Sequence, residues 1–187
     1  ADGIFLETIA GLSTQFSGRG MQFVLHMMQD SEKALQVYRK LIGKGALDGF
    51  VLIDPFDGDP RVEFLQSESI PFVLHGRTHH TVDYPFFDID NEHLSYELTR
   101  HLIDQGHRHI AMVSGVEGRT YVTARSKGYS RALREAGIQE NPAYSHFGVM
   151  DEAHGLISTV KLCADPAERP TGIICGSVRI AKGVYQA

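Results

Sequence analysis

Apolar positions recur along this chain at two spacings, and the spacings alternate. In segment 4–18, Ile4, Leu6, Ile9 and Leu12 fall near one helical face, with Gly18 and Gly20 placed to end the helix. Segment 21–27 (MQFVLHM) is a continuous apolar run of strand length. Asp30 or Ser31 can cap a helix over 31–43, whose Ala34, Leu35, Val37, Tyr38, Leu41 and Ile42 make a wide apolar stripe. The pattern then predicts a strand at 48–54, a short helix at 57–67, a strand with a turn at 71–77 and a short extended piece at 84–90. Asn91 can cap a helix over 91–105 that turns Leu94, Leu98, Leu102 and Ile103 inward, and Gly106 stands where a left-handed cap ends such a helix. Strand 109–115, helix 120–136 closed by Gly137, strand 144–150, helix 151–163, strand 171–177 and a last helix from 178 complete the series.

Helices alternating with continuous apolar strands imply an α/β fold of parallel sheets flanked by helices. A weak strand, a long helix and a new strong strand follow one another in 84–114, the natural place for a change of sheet. Two lobes are therefore expected, an N-terminal one over residues 1–83 and a second, with the crossover into it, over 84–187.

Composition narrows the function. An apolar fraction of 42% and a charged fraction of 22% exclude a mainly disordered chain, and a net charge of -5 argues against a nucleic-acid surface. No run approaches the roughly 20 apolar residues that cross a bilayer, so no membrane partner is expected. Cys163 and Cys175 lack metal-ligand spacing and fit small buried apolar residues of a reducing, cytoplasmic compartment.

The densest cluster of candidate chemistry is His101, His107 and His109, followed directly by an apolar strand. Zinc would need their nitrogens to converge at about 2 Å from one ion, and no HExxH-like arrangement accompanies them. A polar joint at a helix C-terminus, where the dipole favours cations, is the better reading. His79 and His80 read as a solvated loop pair. No metal and no cofactor are expected. GxGxxG after a strand, GxxxxGK[ST] and GxSxG are all absent, and Glu117 and Asp151 have no paired nucleophile, so an enzyme is not expected.

Four blocks, in order, resemble the lactose/galactose repressor family. IDNEHLSYELTRHLIDQGHRHIAMVSG (89–115) has an Asp-Asn pair, a helix ending Leu-Ile-x-x-Gly-His, a basic residue and a strand into a glycine turn. ARSKGYSRALREAGI (124–138) is similar to the family's Arg-x-x-Gly-aromatic helix, ALDGFVLIDP (46–55) to its Asp-Gly strand, and RPTGIICGSVRIAKGVYQA (169–187) to its Pro-Thr strand and helix. The resemblance implies a two-lobe, periplasmic-binding-protein-like fold, here incomplete at both ends. It implies a small effector, a sugar in many members, bound between the lobes. It also implies operator DNA bound through a helix-turn-helix headpiece outside this chain, and a homodimer with the helix at Val178 facing the partner. A sugar-binding protein of a transport system is the alternative on the same fold.

Ligands of open parallel sheets sit beyond the carboxyl ends of strands. The expected ligand-binding residues there are Asp54, His75, Arg77, Met150 and Ser177. Arg125 matches the family arginine that reaches into the cleft, a role suited to the planar donor fork of a guanidinium. His75 stands where many members have Asp and can equally be a strand terminator. Ser177-Val178 replaces the Asn-Asp of many members. Phe5 can offer an apolar face to a sugar ring or belong to the core of the first helix.

Overall fold

A computed structural model describes residues 3–27, 31–45, 47–78 and 84–187. It divides into two compact units, residues 1–44 and 45–187.

The first unit contains two helices, α1 (Gly3–Ser17) and α2 (Ser31–Gly43). Gly20, in the left-handed region at φ 74°, follows α1, and Met21 N donates to Phe16 O at 3.0 Å. The expected strand at 21–27 is not formed. This stretch has no regular structure, and Met21, Val24, Leu25 and Met27 are exposed. An apolar run becomes a strand only where a neighbour takes its ladder hydrogen bonds. Phe23 instead stacks on Phe16, with centroids 5.8 Å apart. Ala34 and Tyr38 of α2 are buried.

The second unit holds two three-stranded parallel sheets. The first is ordered β1 (Phe50–Ile53), β2 (Phe72–His75), β3 (Phe86–Phe87), with α3 (Pro60–Ser67) between β1 and β2. Asp59 caps α3: it is 1% exposed, accepts from Arg61 N at 3.0 Å, and pairs with the Arg61 guanidinium. Arg61 in turn donates to the carbonyls of Ile53 and Asp54, tying the helix start to the end of β1. Asp59→Asn keeps a capping oxygen but removes the charge. We expect it to lower unfolding stability by about 1 kcal/mol, the difference between a charge-assisted and a neutral bond. Urea unfolding checks this, and an unchanged midpoint refutes it.

Helix α4 (Asn91–Asp104) carries the chain out of the first sheet. The second sheet is ordered β5 (Ser145–Phe147), β4 (Ile110–Ser114), β6 (Gly172–Cys175), with α5 (Thr120–Glu135) leading from β4 toward β5. A 3-10 turn at Pro142–Tyr144 enters β5. Helix α6 (Glu152–Leu162) leads from β5 across to β6, and α7 (Val178–Gln186) follows β6. Every residue of the central strand β4 is buried, and its side chains alternate between two cores. Ile110 and Met112 pack with Ile103, Tyr129 and Leu133 of α4 and α5, while Ala111 and Val113 pack with Leu162 and Ile180 of α6 and α7. Helices thus cover both faces of this sheet, as the continuous apolar strands imply.

Two features of α4 differ from the sequence expectation. Asp90, not Asn91, is its cap, accepting from His93 N at 2.9 Å. Leu94 and Leu98 are 40% and 44% exposed, whereas Asn91, Ser95, Thr99 and Ile103 are buried. Small polar residues form the inward face because α4 meets α5 very closely. A Cβ on Gly128 would collide with the Glu92 carbonyl and stand 2.9 Å from Tyr96 N. Thr99 meets its polar requirement locally, donating to Ser95 O at 2.7 Å.

Candidate ligand-binding site

The carboxyl end of β4 organises the site. The chain leaves β4 for β5 on one side and then crosses from β5 past β4 to β6 on the other, a reversal of the kind at which open parallel sheets bind ligands beyond their strand ends. Two glycines let neighbouring groups close over the end of β4. A Cβ on Gly115 would lie 2.9 Å from the Tyr121 hydroxyl and 3.1 Å from Met150 Sδ, and one on Gly176 would lie 3.0 Å from Ser114 Cα.

Three residues at the start of α5 converge here. Gly118, at φ 86°, turns the chain into the helix, and Arg119 is its N-cap residue. Tyr121 and Arg125 are four apart and share a helical face, with the Arg125 guanidinium 5.2 Å from the Tyr121 ring centroid. The Tyr121 hydroxyl donates to Met150 Sδ at 3.4 Å. Arg125 is half-buried, donating from Nε to Asn91 Oδ1 at 2.8 Å and from Nη1 to Gly176 O at 2.7 Å. Burial lowers the Arg125 pKa from its ordinary value, opposed by Tyr121 and Asp88. Burial and the nearby Asp54 raise that of Tyr121, opposed by Arg125 and Arg119. The upward shift favours the neutral phenol of Tyr121, and a guanidinium keeps its charge in proteins, so the two form a donor-rich pair beside an aromatic face.

Arg119 joins the second sheet to the end of β1. Its backbone bridges Phe56, and its guanidinium lies 3.4 Å from Asp54 Oδ2 and 5.8 Å from the Phe56 ring centroid. The next residue, Thr120, donates to Pro55 O at 3.3 Å. Asp54 is one of two non-glycine residues among those described with positive φ, at 58°. An aspartate tolerates that region better than most residues. The turn aims the Asp54 carbonyl at both Arg61 and Arg119, each 3.3 Å away.

The expected site residues separate into groups. Asp54, Arg125 and Met150 belong to this cluster. Ser177 caps α7, its hydroxyl accepting from Ile180 N at 3.2 Å, and it follows Gly176 in the chain. His75 is exposed and stacks on Phe87 at 4.8 Å. Arg77 pairs with Asp88 at 3.4 Å and Asp90 at 3.9 Å. It lines a separate polar recess of about 430 Å3 with the first turn of α4 and with Lys127 and Arg131. That recess is charged and internally paired, Arg131 meeting Glu92 at 2.6 Å, and holds neither Tyr121 nor Arg125. Phe5 is a half-buried residue of α1, in the first unit. Sequence reading missed Arg119, Tyr121 and Asn91. The four-residue spacing of Tyr121 and Arg125 on one helix was the available signal for the tyrosine.

The three histidines that open onto β4 take three different partners. His101 meets Gln105, His107 meets Thr171 at 2.9 Å, and His109 meets Tyr144 at 3.2 Å. His79 and His80 lie outside the described residues.

Comparison with known proteins converges on one group. The model for periplasmic binding proteins and the sugar binding domain of the LacI family matches residues 2–187. The HTH-type transcriptional regulator AglR of Rhizobium meliloti (strain 1021) is 36% identical over 184 residues, which are 98% of this chain and 51% of the relative. A regulatory protein of LacI family from Chloroflexus aggregans superposes with a TM-score of 0.84 at 30% identity, over 97% of this chain and 66% of that one. A transcriptional regulator CelR–cellobiose complex superposes with a TM-score of 0.78 at 25% identity, over 95% of this chain and 55% of that one. The chain spans about half the length of the curated relatives it matches.

Proposed function

The chain belongs to the family of periplasmic binding proteins and LacI-family sugar binding domains, and on that footing we propose that it is the effector-binding part of a transcriptional regulator. A small polar ligand, a sugar, binds at the strand ends beside Tyr121 and Arg125 and changes how the whole protein binds operator DNA. The observation that carries this reading is the grouping of Arg119, Tyr121 and Arg125 at the carboxyl ends of β1, β4 and β6. A guanidinium supplies directional donors to hydroxyls and an aromatic ring supplies a flat apolar face, the pairing that a sugar's alternating edges and faces require.

The ligand acts by linkage. It favours the arrangement of the lobes in which its contacts are best, and can shift the population only by its difference in affinity between arrangements. We take residues 1–83 and 84–187 as the parts of those two lobes carried here, supported by the passage from the first sheet to the second through α4. No bond is made or broken. Operator DNA is contacted by a headpiece, and the protein works as a homodimer in the cytoplasm with the α7 side toward its partner, where Val178 and Tyr185 are exposed. No helix among the described residues is long and apolar enough to cross a membrane. The matched relatives are named as regulators, which favours this reading over a transport binding protein.

The test is a thermal-shift screen of the full-length protein against cellobiose, maltose, melibiose, glucose and galactose. At least one is expected to raise the melting temperature in a concentration-dependent way, since a ligand at about 100 times its Kd stabilises by about 2.7 kcal/mol. A flat response to the whole panel, with operator binding also unaltered, refutes the sugar assignment.

A further inference from the structure

Asn91 is 3% exposed at the first position of α4, and each edge of its side-chain amide has a partner. Its Nδ2 donates to Asp88 Oδ1 at 3.1 Å and to Ile89 O at 3.2 Å, while its Oδ1 accepts from Arg125 Nε at 2.8 Å. The amide has only one workable orientation. Reversed, it would set its N–H groups against a guanidinium and its oxygen against a carboxylate. Asp88 is itself held, accepting from Ile89 N at 2.9 Å and pairing with Arg77 at 3.4 Å. A continuous polar chain therefore runs from Arg77, just past β2 in the first sheet, through Asp88 and Asn91 in the connection between sheets, to Arg125 and on to Gly176 O at the end of β6. These bonds occupy the Nε hydrogen and one Nη1 hydrogen of Arg125, leaving its other Nη1 hydrogen and both Nη2 hydrogens for a ligand.

We propose that Asn91 is a positioning residue for the ligand-binding arginine, locking the Arg125 fork to the segment that joins the two sheets. The proposal rests on the reading of the site given above and extends it. The guanidinium that grips the ligand is anchored to the connection that must move if the lobes move, so binding and lobe geometry share one side chain. A carboxamide suits this role better than a carboxylate, because it donates toward Asp88 and accepts from Arg125 at once. A floppy guanidinium would have to be ordered by the ligand at an entropic cost, which an anchored one avoids.

The experiment uses full-length protein with 15N-labelled arginine. The Arg125 Nε–H signal is expected to be slow to exchange with water in the wild type, to exchange about ten times faster or more in Asn91→Ala, and to stay protected in Asn91→Asp, which keeps the acceptor. The second readout is a double-mutant cycle by calorimetry with the sugar of the panel that stabilises most. Asn91→Ala is expected to raise its Kd about tenfold, and to raise it no further in an Arg125→Ala background, because the effect passes through the guanidinium. A merely structural role would weaken binding equally in both backgrounds and would leave Nε–H exchange unchanged, and either result overturns the proposal. The two readings fail separately. A panel without a binder, with Nε–H exchange behaving as expected, overturns the sugar assignment and upholds the Asn91 anchor. A binder with additive losses overturns the positioning role and upholds the site.

Discussion

Gly128→Ala is expected to destabilise the protein by about 3 kcal/mol, because overpacking at a backbone contact has no side chain to yield. In an open helix position the same change would help, since alanine is favoured over glycine by about 1 kcal/mol. Here the new methyl would meet the Glu92 carbonyl and the Tyr96 amide of α4, so two helices would have to separate. Their separation would disturb more than packing. Arg131 reaches across this seam to Glu92, and Tyr96 donates to Glu135 at 2.7 Å. The Arg125–Asn91 bond crosses the same seam at the site end. Gly11→Ala is the control: that glycine lies within α1 with nothing within 4 Å of an added Cβ, and the change should raise stability by about 0.5–1 kcal/mol. Urea unfolding of the two variants beside the wild type reads both signs. A Gly128→Ala midpoint within error of the wild type would mean that α4 and α5 are not in contact as described.

Arg125→Ala should weaken sugar binding by about 1–3 kcal/mol, between roughly fivefold and a hundredfold in Kd, the range for losing charge-assisted hydrogen bonds. Arg125→Lys should recover little of this. An ammonium keeps the charge but cannot bond Asn91 and Gly176 while presenting a planar fork to a ligand. Both variants also lose partners in the folded protein, so the melting temperature without sugar is measured alongside. The expected pattern is a loss of affinity larger than any change in stability explains. Calorimetric titration with the panel sugar decides it, and an unchanged Kd removes Arg125 from the site.

Much of the second unit was readable from the chain because its signals were local. Gly106 and Gly137 stand just past α4 and α5 at φ 95° and 66°, as helix-ending glycines should. The run IAMVS is buried throughout, as an unbroken apolar strand at the centre of a parallel sheet must be. Readings failed where structure depends on distant partners. Leu94 and Leu98 looked like the inward stripe of α4 because large apolar residues dominate any periodicity. What decides the face is Gly128, 34 positions from Leu94 and 30 from Leu98, which admits only small side chains opposite it. Segment 21–27 has the composition of a strand but no ladder partner among the described residues, and Cys163, expected buried, is exposed just past α6.

The site divides along the same line. Arg125 is singled out by the Arg-x-x-Gly spacing, and its glycine proves to be the one at the α4–α5 contact, so the motif couples the arginine we propose for binding to the packing that places it. The strand-end rule points to Asp54 and Met150, and both lie near Tyr121. Ser177 sits at a strand end as well, yet its hydroxyl is engaged as a helix cap, a competing use that residue type allows and position alone does not reveal. Asn91 was read as a cap for its residue type. Asp90 holds that place instead, which leaves the amide of Asn91 for Arg125.

In the proposed complex a sugar sits beyond the end of β4, gripped by the Arg125 guanidinium against the Tyr121 ring. A crystal structure of the full-length protein with the stabilising sugar bound tests that most directly. The predicted result is a sugar hydroxyl within about 3 Å of an Arg125 Nη atom, with the Nε–Asn91 bond intact. Sugar bound elsewhere, with Arg125 facing only protein, would contradict it.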